Sequence, residues 1–412
     1  MYDETVVDPA QLGMNKARLD AIPEYFQTRY IDQNKFHCAA TLVARGGEIV
    51  HEAYRGATEL GGGDPIGPDT IFRIYSMTKP ITSVAAMMLL EEGDLRLDHE
   101  VSRFIPEFAD VEVWESGSEN NFKTRKPDRP ILVRDALTHT SGVTYPFLFQ
   151  HEVDAAYRSQ QIGLRADETL EEMCRRLASM PLLFSPGTCW NYGYSTDIVA
   201  RIIEVVSGEK FDDFLRKRIF EPLGMIDTDF YVPQDKAHRL IKAYLKNPFT
   251  GEVTDGVIPG VEEHDFTTQP TLLNGGGGLV STLRDYYRFC QCLLNGGSLG
   301  DVRLLSPKTV EFMRMNHLPD NKTIKDMGDK SFSEARMEGN GFCLCGSVTT
   351  NVVETMTPGS VGSYGWGGLA NTFFWIDPEE DLLAIKMLQI MPTGCYPVRP
   401  QMQYLVYSAI DS

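Results

Sequence analysis

Apolar and polar positions follow two periods along this chain, and the two are segregated by region. Residues 15–30 carry apolar side chains at helical spacing and predict a helix. A β-hairpin follows, because residues 38–44 and 48–54 are rich in β-branched and small side chains, and Arg45-Gly46-Gly47 supplies a turn between them. Over residues 78–92 the apolar positions are Ile81, Val84, Ala85, Met88 and Leu89, the spacing of a buried helical face, with Gly93 as its stop. Residues 95–270 mix helical segments, among them 198–206 and 211–220, with loops rich in Pro and Gly. After Gly275-Gly276-Gly277-Gly278 a helix is predicted over 282–294, and strand-like runs then return. One strand is expected over 341–348, and a second hairpin over 369–376 and 382–388, turning at Asp377-Pro378-Glu379-Glu380. Residues 399–410 close the chain as a helix.

Strands at both ends with helices between them imply an α/β (α+β) fold: one antiparallel sheet built from both termini and flanked by helices, with a mostly helical region inserted. The expected division is a sheet-containing domain from residues 1–80 and 270–412, a mostly helical domain from 81–269, and an active site between them. No internal repeat is visible.

Composition narrows the function classes. The 412 residues are 42% apolar and 23% charged without low-complexity tracts, as in an ordinary globular protein. Thirty-nine basic against 57 acidic residues leave a net charge of −18, which repels phosphate backbones and acidic lipid surfaces, so no nucleic-acid partner is expected. The longest apolar stretch, residues 84–90, falls far short of the roughly 18 residues of a membrane span. The acidic opening Met1-Tyr2-Asp3-Glu4-Thr5 lacks the basic segment and apolar run of a signal peptide, and the expectation is a cytoplasmic protein. The eight cysteines show no C-x-x-C spacing and the eight histidines no metal spacing, so no disulfide framework, metal or cofactor is expected, and the thiols are expected to be reduced, buried and inert. His99 and His139 fall in polar segments, where a surface or capping role is expected.

Chemistry concentrates at Ser76-Met77-Thr78-Lys79, at the start of the best-defined helix. Three-residue spacing puts hydroxyl and amine on one helical face. A serine hydroxyl needs a base to become a nucleophile, and a partly desolvated lysine can serve. The helix start adds unpaired N–H groups that suit an oxyanion. The motif alone is weak, since roughly one S-x-x-K match is expected by chance at this length, and a helix cap is the bland alternative for Ser76. A second match, Ser207-Gly208-Glu209-Lys210, reads as a solvated turn. Gly296-Gly297-Ser298-Leu299-Gly300 satisfies G-x-S-x-G, but it follows a helix where a nucleophile elbow needs a strand, and it is rejected. The glycine run 275–278 lacks the Lys-Ser or Lys-Thr of a phosphate loop and reads as a tight turn near the active-site wall. Tyr192 and Tyr194 lie in an aromatic cluster, which is packing about three times as often as catalysis, although a phenol near a buried lysine can relay protons. In Tyr364-Gly365-Trp366-Gly367-Gly368-Leu369 the glycines would let a substrate approach the backbone.

Taken in order, Ser76-x-x-Lys79, Leu137-Thr138-His139-Thr140-Ser141-Gly142, Pro186-Gly187-Thr188 with Tyr192, Glu221-Pro222-Leu223-Gly224-Met225 and Gly276-Gly277-Gly278-Leu279-Val280-Ser281-Thr282 resemble the serine β-lactamase-like superfamily. The resemblance runs from about residue 35 to 390 and is strongest to the family VIII carboxylesterases, relatives of class C β-lactamases and penicillin-binding proteins. It implies Ser76 as nucleophile, Lys79 and Tyr192 as the proton-transfer pair with either as first base, and the backbone N–H groups of Ser76 and Leu369 as the oxyanion hole. Two departures matter. Trp366-Gly367-Gly368 stands where β-lactamases carry Lys-Thr-Gly, and Tyr192-Gly193-Tyr194 where class C enzymes carry Tyr-x-Asn. The first removes the cation for a β-lactam carboxylate and the second the side-chain amide for an acylamide. A pocket walled by Tyr194, Trp366, Gly367 and Gly368 suits neutral esters. The expected activity is therefore serine carboxylesterase on short- to medium-chain esters through an acyl-enzyme, with β-lactamase or D,D-peptidase activity and acyl transfer as alternatives.

Overall fold

The computed structural model describes residues 4–118, 121–256, 258–261, 265–328, 332 and 335–412. Met1 to Asp3, part of the acidic opening, lie outside the described residues. Eight strands form the central sheet: β1 (Cys38–Arg45), β2 (Glu48–Glu59), β3 (Gly62–Pro65), β4 (Asn340–Cys343), β5 (Gly346–Thr349), β6 (Tyr364–Gly367), β7 (Phe373–Asp377) and β8 (Leu382–Met387). Their spatial order is β4-β5-β6-β7-β8-β1-β2-β3, with every neighbouring pair antiparallel. The two ends of the chain meet where β1 pairs with β8, in register Ala40 to Met387 and Leu42 to Ile385.

Two expected strands are corrected. Residues 341–348 make β4 and β5, because Cys343 pairs with Gly346 and leaves Leu344-Cys345 to reverse the chain. Gly346 has φ +147, and a Cβ there would stand 2.5 Å from the Gly365 carbonyl oxygen, so only glycine fits. The strand expected from residue 369 begins only at Phe373. Residues 368–372 instead form a tight turn in which Gly368 N–H donates to Thr372 O (2.9 Å) and Asn371 N–H to Gly368 O (3.0 Å).

Alternation along the strands sorts side chains into two cores. Ala40, Leu42, Phe374 and Ile385 face the larger core, together with α2 (Thr78–Glu91), α3 (Ser195–Ser207) and α4 (Leu283–Leu294). Ala39, Val43, Trp375 and Ala384 face the other, against α1 (Lys16–Phe26) and α5 (Val398–Tyr407). Both terminal helices thus cover one face of the sheet. Asn15 Oδ1 accepts from Arg18 N–H (3.2 Å) ahead of α1, and Thr282 Oγ1 from Asp285 N–H (3.2 Å) ahead of α4, so both helices begin at a side-chain cap. Helix α2 is buried on all sides from Thr78 to Leu89, which explains its near-absence of charge. Between β3 and β4 the chain is chiefly helical, with short strand pairs such as Val113–Ser116 with Lys123–Arg125.

Among the described residues no helix is long and apolar enough to cross a membrane. All eight cysteines are free thiols. Six are buried, but Cys189 and Cys395 are only half-buried, against the expectation for the whole set.

Candidate active site

Ser76 sits in a single 3-10 turn, Tyr75–Met77, that runs directly into α2. Tyr75 just before it has φ +43, a left-handed conformation that a bulky residue adopts only when its surroundings enforce it. The enforcement is visible on both sides of the turn. Ile74 N–H donates to Leu279 O (3.1 Å), and Leu279 N–H donates to Thr78 Oγ1 (3.1 Å), so the turn is clamped to the end of the glycine run.

Lys79 lies one helical turn on and is 5% exposed. Its Nζ donates to Ser76 Oγ at 3.2 Å and to Gly276 O at 2.6 Å. Thr82, the next residue on that face, donates to Gly275 O at 2.8 Å. The turn before α2 and one face of that helix therefore hold the Ser76 hydroxyl, the Lys79 amine and the backbone of the glycine run together. The run is a turn, as expected, with Gly278 N–H donating to Asn274 O (2.9 Å). Its glycines are needed for close approach: a Cβ on Gly275 would fall 2.5 Å from Ala200 Cβ, and one on Gly276 would fall 2.7 Å from Asp197 Oδ2.

Tyr192 reaches the same place from more than a hundred residues downstream. Its ring centroid is 4.5 Å from Lys79 Nζ, and its Oη accepts from Trp366 Nε1 at 3.1 Å. Tyr145, from the loop after Leu137-Thr138-His139-Thr140-Ser141-Gly142, brings a second ring to 5.4 Å from the same ammonium. His139 departs from the expected surface role. It is 1% exposed, its ring is 4.8 Å from that of Tyr192, and it packs edge-on to Phe342. Burial, reinforced by the Lys79 cation, holds its imidazole well below its usual pKa and hence neutral. The cause of the misreading is that the whole run from Thr138 to Tyr145 is interior loop, polar in sequence but buried.

A cavity opens beside Ser76. Its walls include Tyr75, Tyr145, Phe147, Tyr194, Phe266 and Leu369, with Asn274 and Gly276 to Gly278, and among the described residues no charged side chain lines it. Tyr194 and Leu369 both line the cavity. Trp366, Gly367 and Gly368 do not line it. Trp366 is fully buried and touches Tyr192. A Cβ on Gly367 would meet the Arg399 guanidinium at 2.4 Å, and one on Gly368 would meet Ile74 O at 2.3 Å. These two glycines admit neighbouring protein groups to the backbone, and the expectation of a substrate-binding role for the three is corrected. Gly193 has a similar reason, since Val143 O would lie 2.3 Å from its Cβ. Tyr194 is fixed by donating to Ile162 O at 3.0 Å.

Neither decoy serine joins this cluster. Ser207 ends α3 and donates to Ile203 O (2.7 Å), and Ser298 sits in a two-residue strand paired with Val302–Arg303. Sequence reasoning missed Tyr145, Phe147, Phe266, Asn274 and Asp197. An isolated Asp inside a helix carries no local signal, and the others come from loops whose meeting depends on tertiary structure. Among the described residues no group of three or more His, Cys, Asp or Glu is placed to hold a metal ion.

Comparison with known proteins agrees with this geometry. The family model described as Beta-lactamase matches residues 22–403. A lovastatin esterase from Penicillium rubens is 32% identical over 378 residues, covering 87% of this chain and 90% of its own length. The esterase EstB of Burkholderia gladioli is 29% identical over 381 residues, covering 90% of each chain. Among solved structures, EstCE1, described as a hydrolase with promiscuous acyltransferase activity, superposes with a TM-score of 0.77 at 25% identity, covering 96% of this chain and 99% of its own.

Proposed function

The chain belongs to the Beta-lactamase family and is an enzyme of its hydrolase and acyltransferase branch, and within that branch we propose that it is a serine carboxylesterase for neutral short- to medium-chain esters. The observation that carries this reading is the 3.2 Å contact of Lys79 Nζ with Ser76 Oγ at the edge of a largely apolar cavity. Ser76 Oγ attacks the ester carbonyl while its proton passes to the Lys79 and Tyr192 pair. The carbonyl oxygen, now negative, is received by the N–H groups of Ser76 and Leu369. The alcohol leaves with a proton from the pair, and water repeats the sequence on the acyl-enzyme. Trp366 favours Tyr192 as a proton carrier, because a donor to Oη stabilises the phenolate more than the phenol.

Among the described residues no Lys or Arg side chain lines the cavity to receive a β-lactam or peptide carboxylate, which weighs against those substrates. Acyl transfer is the second reading. An apolar wall beside the acyl-enzyme favours a bound alcohol over water as acceptor, and EstCE1 is described with that activity.

The test is intact-mass analysis after a fluorophosphonate, with digestion to locate the adduct. The expected result is one adduct on Ser76, none in Ser76→Ala, and a p-nitrophenol burst equal to the enzyme concentration. An adduct on Ser298, or full activity in Ser76→Ala, would overturn the assignment. Product ester exceeding free acid when an alcohol is added would favour the transferase reading.

A further inference from the structure

Behind the Ser76 and Lys79 pair the structure buries a carboxylate that the proposed reaction does not yet use. Asp197 occupies the first turn of α3 and is 0% exposed. Its Oδ1 accepts from Gly276 N–H at 3.0 Å, and the carbonyl of that same glycine accepts from Lys79 Nζ at 2.6 Å. One residue is thus held by the carboxylate through its N–H and by the ammonium through its C=O. The second oxygen, Oδ2, is buried with no hydrogen-bond partner. It lies 2.7 Å from the position a Gly276 Cβ would take, and Tyr145 Oη lies 2.8 Å from that position.

From this arrangement we infer that Asp197 is a positioning residue for Lys79, acting across Gly276 to favour the protonated amine and to fix the carbonyl that orients it. The inference rests on the esterase reading above and adds a regulator of its proton transfer. A fully buried carboxylate with one unpaired oxygen is costly, and a compensating charge nearby is what makes it tolerable. Lys79 is the charged side chain facing it, from α2. The Cys174 thiol packs on its backbone, and burial raises that thiol well above its usual range, so it stays neutral. Tyr145 faces it from its loop, and His139, near Lys79, is held neutral. Burial pushes the Asp197 carboxyl up to about 6, while Lys79 and the Gly276 N–H pull against that rise. Beside a protonated Lys79 it is therefore ionised at pH 8.

The role follows from charge movement. As Ser76 Oγ bonds to the carbonyl carbon, its proton goes to the Lys79 and Tyr192 pair and positive charge grows on Nζ. A fixed anion behind Gly276 stabilises that charge more in the transition state than in the ground state, which is what accelerates the step. The same anion makes Lys79 harder to deprotonate at rest, so it also sets the pH at which activity appears.

The test is Asp197→Asn, whose amide oxygen can still accept from Gly276 N–H while the charge is gone. Asp197→Ser replaces it should the amide variant not yield folded protein. Both enzymes are first labelled with a fluorophosphonate to show that Ser76 is the nucleophile, and kcat/KM for p-nitrophenyl butyrate is then measured from pH 5 to 10. The expected result is an acid limb displaced to lower pH by about one unit and a plateau lower by about tenfold. A lower plateau with the limb unmoved would mean a merely structural role and overturn the inference, as would an unchanged profile. Absence of the Ser76 adduct in the native enzyme would instead overturn the esterase reading and this inference with it.

Discussion

Replacing Trp366 by Phe separates a proton-carrying Tyr192 from a merely packed one. The indole of Trp366 is fully buried, donates to Tyr192 Oη at 3.1 Å, and packs edge-on to Phe342 with centroids 5.2 Å apart. Phe keeps most of the ring and loses the N–H. A neutral hydrogen bond contributes about 0.5–1.5 kcal/mol net, and one to a charged acceptor about 1.5–3 kcal/mol. If Tyr192 passes its own proton to Lys79 as it takes the Ser76 proton, Oη is most negative in the transition state, the bond strengthens by roughly 1–1.5 kcal/mol on the way there, and its removal lowers kcat by about tenfold. If Tyr192 only packs, the bond is worth the same before and during reaction, and kcat does not change. Steady-state kinetics on p-nitrophenyl butyrate read this directly. Phe342→Leu loosens the same aromatic cluster without touching the hydrogen bond and serves as control. A kcat within twofold of the native enzyme in folded Trp366→Phe, or an equal loss in the two variants, would refute the proton-carrier argument.

Two further outcomes test the packing of the site and the pH response of the fold. In Gly193→Ala the new Cβ would stand 2.3 Å from Val143 O, so the backbone between Tyr192 and Tyr194 must shift. Denaturant titration should show a loss of about 1–3 kcal/mol, together with slower Ser76 labelling, and unchanged stability would contradict the close approach. His37 is 3% exposed with neither ring nitrogen hydrogen-bonded, and burial lowers its imidazole to about 4. The folded protein keeps His37 neutral while the unfolded chain takes up a proton below about 6.5, so its contribution is complete above that pH and is lost as pH falls toward 4. At pH 5 the loss is about 2 kcal/mol. His37→Phe should remove that increment of acid sensitivity, and parallel pH–stability curves for the two proteins would show the assignment to be wrong.

The legible parts of the molecule were those where a local pattern and the tertiary structure ask for the same thing. The 3.6-residue spacing of Ile81, Val84, Ala85, Met88 and Leu89 marks α2. Ser76 and Lys79 were legible for the same reason, since one helical turn separates them and no long-range contact is needed to bring them together. Where the backbone reverses without a polar turn, legibility failed. Leu344-Cys345 looks like strand interior, and only the pairing of Cys343 with Gly346 turns it into a hairpin. Trp366 to Gly368 failed differently, because glycines that admit a substrate and glycines that admit an arginine or a carbonyl look identical in sequence. His139 failed because polarity along residues 138–144 suggests solvent, whereas the segment satisfies its polar groups internally, as in Thr138 Oγ1 with Thr140 Oγ1 at 2.9 Å and Ser141 Oγ with Ser195 Oγ at 2.8 Å.

The distribution of charge has a consequence for substrate choice. Among the described residues the cavity wall carries none, yet the interior behind it holds the Lys79 amine and the Asp197 carboxylate, separated by Gly276. A bound substrate therefore gains nothing from carrying a charge of its own and loses its hydration on entering. A developing oxyanion differs, because it appears only after binding and beside N–H groups already in place. Binding energy in such a site comes from apolar contact with Tyr75, Phe147, Phe266 and Leu369. At roughly 0.8 kcal/mol per buried CH₂, each methylene added to an acyl chain should raise kcat/KM by up to about fourfold until the cavity is filled. A series of p-nitrophenyl esters from acetate to octanoate measures that slope, and a succinate monoester of matched length measures the penalty for charge. Equal rates for the succinate and the pentanoate would mean that a cation does reach the bound acyl group, and the uncharged-wall argument would fail.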